Sequence, residues 1–181
     1  MVSTLLLVVL GVGVISATQN NIDENLAAEL VALGFPNGEL PPLIPPLGNY
    51  VDVVQSGKLL FLSSAAPQTP PPSPVFMKGR VPNEVSAADA QTAAKLACVR
   101  QLNRLKTFLG DFDKVRQIVM IKGKILSQPD FTGHTAIIDA CSALLVRVFG
   151  EDIGKHARTT DGVVSLPFNV TLELETIVER K

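Results

Sequence analysis

The last segment of the chain alternates apolar and polar residues with a period of two, which limits how it can fold. In an extended strand, successive side chains point to opposite faces. One face carries an apolar series: Leu172, Leu174, Thr176 and Val178. The other face carries Thr171, Glu173, Glu175 and Ile177. The segment is therefore predicted to be a strand with one buried face and one open face.

Two longer segments have the apolar spacing of amphipathic helices. Ser86 opens the first with a capping-box pattern that Asp89 completes, and Gly110 ends it. The second covers about residues 130–150 and ends at Gly150. The predicted buried stripes are Ala94, Cys98, Leu102, Leu105 and Leu109 in the first helix, and Ile137, Cys141, Leu144, Leu145 and Val148 in the second.

Other extended segments surround these two helices. Residues 50–54 and 59–63 are short apolar runs joined by Gln55-Ser56-Gly57-Lys58, which is a hairpin signal. A short strand is predicted at 75–78 and a long one within 113–126, and the last two strands are joined at Pro167-Phe168-Asn169. The predicted order is β-β-(β)-α-β-α-β-β, after an N-terminal helix.

This order favours an α/β (α+β) fold in which one mixed β-sheet has two helices packed on one face. The uncovered face would be polar on the last strand. On the central strand it would be apolar, because Ile118 and Met120 are placed there. An open face that is partly apolar predicts a partner subunit.

Composition indicates one globular domain. The chain has 181 residues, of which 46% are hydrophobic and 18% charged, so a sizeable core can form. Sixteen basic residues against seventeen acidic ones give a net charge of −1. A nucleic-acid partner is not expected, because such proteins usually carry a basic stripe.

The N-terminal region divides into two parts before the main domain. Residues 1–17 form an uncharged apolar run that is predicted to be a signal peptide, with an uncleaved anchor or an artefactual extension as the alternatives. The run is shorter than the ~20 residues that span a bilayer, so no stable membrane span is expected. Residues 18–47 contain an amphipathic helix and a proline-rich connector, and residues 48–181 form the main domain.

The signal peptide decides the expected compartment. A working signal predicts the secretory pathway or an organelle, and otherwise the protein is expected in the cytoplasm. In an exported chain, Asn169 in the sequence Asn-Val-Thr would be a glycosylation acceptor or a chance sequon.

Cysteine and histidine usage indicates neither a disulfide framework nor a metal site. Cys98 and Cys141 are expected as buried thiols on helix faces, or as a single bridge if the chain is exported and the helices touch. His134 and His156 are far apart and no ligand-like spacing occurs. No metal or cofactor is predicted.

Several motifs resemble the Rid (reactive intermediate deaminase) family, also known as YjgF or endoribonuclease L-PSP. The resemblance begins near Gly48 and reaches the C-terminus. It includes "GNYV", "SGKLLFLSSAAP", "GDFDKVRQIVMIKG" and "DFTGHTAIIDACSALL". The most specific piece is "HARTTDGVVSLPFNVTLELETIV", which joins an Ala-Arg pair to a Leu-Pro turn and an alternating glutamate strand. The N-terminal extension resembles a subgroup of longer Rid-like proteins.

The resemblance implies a chorismate-mutase-like fold assembled as a homotrimer. It also implies clefts between subunits in which water hydrolyses 2-imino or 2-enamino acids to 2-keto acids and ammonia. The partner would then be a small carboxylate or imino-acid metabolite.

The resemblance assigns roles to five residues. Arg158 would grip the substrate carboxylate with its planar guanidinium, and Glu175 would position water and relay a proton. Tyr50 would line the cleft, and backbone groups around Ser63 and Ser64 would bind the substrate. Without the motif, Arg158 would be interpreted as a solvated charge or an ion pair. Glu175 would be a solvated residue or the partner of a nearby lysine.

Two positions depart from the family pattern. Ser64 stands where relatives have glycine, which predicts a narrower or altered cleft floor. Asp139 stands where relatives commonly have asparagine, and a second carboxylate near the cleft would oppose an anionic substrate. A non-catalytic binding module for small carboxylates is therefore the main alternative to an enzyme. An endoribonuclease is a weaker alternative, because no cluster of basic residues occurs.

Overall fold

A computed structural model describes residues 21–181, so the predicted signal peptide at 1–17 lies outside the described residues. The described chain contains one five-stranded sheet in the order β1-β2-β5-β3-β4. Its strands are β1 (Val53–Ser56), β2 (Leu59–Ala65), β3 (Val115–Leu126), β4 (Ala157–Val163) and β5 (Leu172–Arg180). The helices are α1 (Ile22–Ala32), α2 (Ala87–Leu109), α3 (His134–Phe149) and the short α4 (Glu151–Gly154).

Helix α2 begins and ends where the sequence predicts, whereas α3 ends at the predicted glycine but begins at His134, after the predicted start near residue 130. The Ser86 side chain accepts a hydrogen bond from the Asp89 backbone N–H at 3.0 Å, which satisfies one free donor at the start of α2. Gly110 and Gly150 follow α2 and α3 with positive φ angles of 78°. Glycine adopts this conformation without a Cβ clash, so both helices can end there.

Strand pairing is antiparallel throughout the sheet except between β3 and β4, which are parallel. The parallel pair is joined through α3 and α4, as a crossover connection requires. Along β3, Ile121 pairs with Arg158 on β4 and with Thr176 on β5. Strand β4 forms one edge of the sheet.

The core lies between the sheet and the two long helices. Leu60, Ile121 and Val178 from the strands are buried with Leu102 of α2 and Leu144 of α3. Helix α1 packs on α3 and adds Ile22, Leu26 and Leu30 to the same cluster. The prediction of one mixed sheet with its helices on one face is confirmed.

Two local predictions were wrong. Ile118 is 1% exposed and belongs to the core, although Met120 does lie on the open face. The β3–β5 register shifts between these two residues, and an extra residue at such a bulge changes which side chains share a face. Residues 75–78 do not form a strand of the sheet. They make isolated bridges, Phe76 with Gln68 and Lys78 with Val170.

The two cysteines are free, buried thiols on facing sides of α2 and α3. The Cys98 Sγ lies 3.9 Å from the Cys141 carbonyl oxygen, and burial raises the pKa of the Cys98 thiol well above its usual value. Within residues 21–181, no helix is both long enough and apolar enough to cross a membrane.

Candidate functional site

The end of β2 is irregular where it carries Ser63 and Ser64. The pairing of β2 with β5 shifts register between Leu62 and Ala65, so these two serines stand outside the regular ladder. Ser63 Oγ donates to the Val51 carbonyl at 2.6 Å. Ser64 Oγ donates to Glu173 Oε2 at 2.9 Å, which joins β2 to a carboxylate of β5. The side chain that Ser64 has in place of the family's glycine therefore forms a hydrogen bond that positions the Glu173 carboxylate.

Two arginines of α2 lie behind this irregular segment. Arg104 is 3% exposed, and its Nη1 donates to the carbonyl oxygens of Ser63 at 2.6 Å and Ser64 at 3.0 Å. Its Nε lies 2.7 Å from Asp52 Oδ1. A buried charge is stable only when it is paired and hydrogen-bonded, and Arg104 meets both conditions. Arg104 thereby fixes the backbone of Ser63 and Ser64, which we call the serine segment.

Arg100 lies one helical turn from Arg104 and has a different environment. It is 9% exposed, its Nη1 donates to the Ala66 carbonyl at 3.0 Å, and its Cζ lies 5.2 Å from the centre of the Phe76 ring. Burial, followed by the nearby positive charge of Arg104, lowers the pKa of Arg100. Within the described residues, Arg100 has no carboxylate within ion-pair distance.

These groups line a cavity of about 440 Å³, which we call the Arg100 cavity. Its polar lining consists of Tyr50, Ser64, Arg100, Arg104 and Glu173. Its apolar lining includes Ile44, Leu47, Phe76 and Phe168. A concave, mostly apolar space with a few convergent polar groups is typical of a site for a small molecule.

Arg158 lies elsewhere, at the β4 edge of the sheet and against α3. Its Nη1 lies 3.0 Å from Asp139 Oδ1 and 2.9 Å from Ser142 Oγ. The Arg158 side chain is 21% exposed and the Asp139 side chain 68% exposed, so this ion pair is open to solvent. Asp139 thus already supplies Arg158 with a carboxylate, and any substrate carboxylate must compete with it.

His156 extends the network around Arg158. Its Nδ1 lies 2.6 Å from the Gly154 carbonyl, which makes Nδ1 the donor, and its Nε2 then accepts from Ser142 Oγ at 3.0 Å. Burial lowers the pKa of His156 below its usual 6.5, which favours the neutral ring. These residues line a shallow hollow with Arg158 and Asp139, which we call the Arg158 hollow.

Glu175 lies on the open face of the sheet, outside both the Arg100 cavity and the Arg158 hollow. Its Oε1 lies 2.5 Å from Lys124 Nζ, and this hydrogen bond raises the pKa of Lys124. Glu175 also lines a hollow of about 320 Å³ with Ser63, Ser64 and Lys122, which we call the Glu175 hollow. Ser64 borders both this hollow and the Arg100 cavity.

One protomer does not bring the five predicted site residues together. Tyr50 and Ser64 share the Arg100 cavity, whereas Ser63 and Glu175 share the Glu175 hollow. Arg158 pairs with Ile121 and therefore points to the helix-covered face, while Glu175 pairs with Lys122 and points to the open face. A single site that contains both groups would need a second copy of the chain.

Sequence reasoning missed Arg100, Arg104 and Glu173. The two arginines were not recognised as site residues because a charged residue in a helix is ordinarily solvated. Both are in fact buried against the serine segment. Their spacing of four, which places them on one face of α2, was the available signal. Glu173 was recognised only as part of the alternation, and the β2 bulge that joins it to Ser64 leaves no trace in sequence.

The fold and site together define a class of protein: an α+β domain of the chorismate-mutase-like type, with polar hollows on both sides of its sheet. The chain belongs to the YjgF/chorismate mutase-like, putative endoribonuclease family, whose model matches residues 27–177. The predicted family is confirmed.

Relatives support this membership over most of the chain. Protein TCP17 of Trypanosoma cruzi is 32% identical over 154 residues, which cover 85% of this chain and 93% of that protein. The crystal structure of Atu1372 from Agrobacterium tumefaciens, a protein of unknown function, is 35% identical with a TM-score of 0.76 and covers 88% of this chain and 95% of that one. A putative endoribonuclease from Shewanella oneidensis is 26% identical with a TM-score of 0.74, covering 84% and 97%.

Proposed function

We propose that this protein hydrolyses reactive 2-imino or 2-enamino acids to 2-keto acids and ammonia, in clefts formed between copies of the chain in a homotrimer. One observation carries the proposal. Tyr50, Ser64 and Glu173 converge on one cavity, while Arg158 lies at the opposite edge of the sheet and on its other face. The residues that the reaction needs are therefore divided between two surfaces, and two copies would supply both.

The open face of the sheet supports an assembly of copies. Four side chains form an apolar row across this face: Val54, Phe61, Met120 and Ile177. Val54 is 54% exposed and Phe61 43% exposed in the single chain. A contiguous apolar row of this kind is stabilised when a partner covers it.

The chemistry follows from the groups that line the Arg100 cavity. Arg158 of a neighbouring copy would hold the carboxylate next to the imine and align the imine carbon. Glu173, held by Ser64, would take a proton from a water molecule as its oxygen bonds to that carbon. That proton passes to nitrogen and gives a carbinolamine. Its hydroxyl proton is then transferred to nitrogen as the carbon–nitrogen bond breaks and the carbonyl forms, so that ammonia leaves and the 2-keto acid is the second product.

The choice between the two glutamates is the sharpest test. We expect Glu173→Gln to lower kcat/KM for freshly generated 2-iminobutyrate by roughly 10²–10⁴-fold, the usual effect of losing a general base. Glu175→Gln is its matched control, because it removes the same charge from the same strand and breaks only the pair with Lys124. We expect that change to be less than about fivefold. If Glu175→Gln instead abolishes turnover, the acid is Glu175, as the sequence predicts.

Arg158→Ala tests the carboxylate clamp. We expect kcat/KM to fall by about ten- to a few-hundredfold, since a charged hydrogen bond contributes ~1.5–3 kcal/mol. An unchanged rate would remove Arg158 from the mechanism.

Binding of keto acids without turnover in the wild-type protein would favour a non-catalytic binding module. RNA cleavage by the purified protein, lost in Glu173→Gln, would favour a ribonuclease.

A further inference from the structure

Arg100 is a buried cation whose charge no acid within ion-pair distance balances in the described residues. Its one hydrogen bond there goes to the Ala66 carbonyl, and Phe76 covers part of its guanidinium group. A guanidinium group has five N–H donors, so most of its bonding capacity is unused. Arg104 in the same cavity differs, because it forms an ion pair with Asp52 and donates to two carbonyl oxygens.

The acidic residues in and near the cavity do not balance the charge of Arg100. Asp52 is matched to Arg104, and Glu173 accepts the hydroxyl of Ser64 without reaching ion-pair distance of Arg100 in the described chain. Burial and the charge of Arg104 lower the pKa of Arg100, and the opposing effects of Asp52 and Tyr50 are smaller, so its cationic form is only partly stabilised. An anion in the cavity would supply that stabilisation.

This environment limits which substituent a ligand can place against Arg100. An apolar substituent would displace water from the guanidinium group and return no hydrogen bond, which is costly for a charge. A carboxylate would form charge-assisted bonds with the free donors of the fork. The apolar lining, which includes Leu47 and Phe168, would contact the carbon chain that carries the carboxylate.

We propose that the Arg100 cavity selects substrates with a second carboxylate at the end of the side chain, so that the preferred ligands are 2-imino and 2-keto dicarboxylic acids. Arg100 binds the terminal carboxylate, and the carboxylate next to the imine carbon is left to Arg158. This inference rests on the proposed function for the placement of the reacting carbon. Arg100 is a specificity-determining residue in this assignment.

The test compares two ligands that differ in one terminal group. The dissociation constants of 2-ketoglutarate and of its terminal (5-)methyl ester are measured by calorimetry with the assembled full-length protein. We expect the wild-type protein to bind the dicarboxylate about ten- to a hundredfold more tightly, the effect of one charge-assisted contact. Arg100→Met should abolish that preference and leave the affinity for the ester within about twofold of the wild-type value.

Two further variants show whether the loss of affinity is specific to the positive charge of Arg100. Arg116→Met removes an exposed arginine of β3 and should leave both affinities unchanged. Arg158→Met should weaken both ligands by the same factor, because both carry the carboxylate next to the keto group. If Arg100→Met fails to fold in a thermal melt, Arg100→Lys replaces it. That variant keeps the charge without the planar fork and should reduce the preference several-fold.

The failures of the two proposals can be told apart. Three results would overturn the role of Arg100. The wild-type protein could bind the two ligands equally well, the preference for the dicarboxylate could survive in every folded Arg100 variant, or neither ligand could bind. Deamination of monocarboxylic imines could still proceed in each of those cases. A preference that depends on Arg100 in a protein with no imine turnover would keep the binding inference and remove the deaminase proposal.

Discussion

At the scale of the residue, two glutamates on β5 have different environments although they are only two positions apart. Glu173 accepts a hydrogen bond from a serine and lines a cavity, whereas Glu175 is paired with Lys124 on the open face. The alternation of β5 predicts that both lie on the same side of the sheet, and they do. Their different partners arise from β2, whose irregular end brings Ser64 to Glu173.

His156 gives a residue-level prediction about pH. Because burial lowers its pKa in the folded state, the unfolded chain binds a proton at a higher pH than the folded chain does. The stabilisation from neutral His156 is therefore fully present above its ordinary pKa of 6.5, and it is lost as the pH falls from there to the folded-state pKa. We expect the free energy of unfolding to decrease over this interval.

The measurement is denaturant unfolding between about pH 5 and pH 8, the range in which histidine titrates, for the wild type and His156→Gln. Glutamine offers Ser142 an acceptor without titrating, so the variant should lose less stability on acidification than the wild type. Identical pH dependence in the two proteins would show that His156 is not the titrating group.

At the scale of the element, the spacing of apolar residues and the residues that begin and end helices predicted most of the fold. The serine cap at Ser86 and the glycines that end α2 and α3 are local signals, and local signals are visible in sequence. The misplaced Ile118 has a non-local cause, because its orientation depends on how β3 meets β5 at a bulge. The burial of Arg100 and Arg104 is likewise tertiary, since it depends on the serine segment packing over α2.

Gly123 determines how closely α3 approaches the sheet. A Cβ added to Gly123 on β3 would lie 2.5 Å from Ile138 Cγ1 and 2.6 Å from Cδ1. Gly123→Ala should therefore destabilise the fold by ~1–3 kcal/mol through overpacking. Ile138→Ala should cost ~2–5 kcal/mol, because it leaves a cavity at the same contact.

The double variant is the informative measurement. The methyl group that Gly123→Ala adds would occupy space that Ile138→Ala vacates, so the two costs should not add. We expect the free energy of unfolding of the double variant to exceed the additive value by ~1 kcal/mol or more, as for residues in direct contact. Additivity to within ~0.3 kcal/mol would mean that α3 moves away from β3 to admit the methyl group.

At the scale of the whole molecule, the residues proposed to act together lie on two surfaces of the sheet, and one chain does not bring them together. Arg158 faces α3 at the β4 edge, while Glu173 shares its cavity with Tyr50 near the end of β2. The resemblance predicted one cleft between subunits for Arg158 and Tyr50, but the motifs could not indicate which face of the sheet each residue occupies in one chain. Which residues share a face depends on strand register, and register is fixed by long-range pairing.

A shared site can be tested by mixing two impaired variants. Arg158→Ala chains retain Glu173, and Glu173→Gln chains retain Arg158, so co-expressed trimers would contain clefts with both native residues. If each cleft takes one residue from each of two neighbours, random assembly restores about a quarter of the wild-type activity. Co-expression of Arg158→Ala with the double variant Arg158→Ala/Glu173→Gln is the matched control, and it should restore none. If the mixture is no more active than its impaired components, Arg158 and Glu173 do not act together in one cleft between copies.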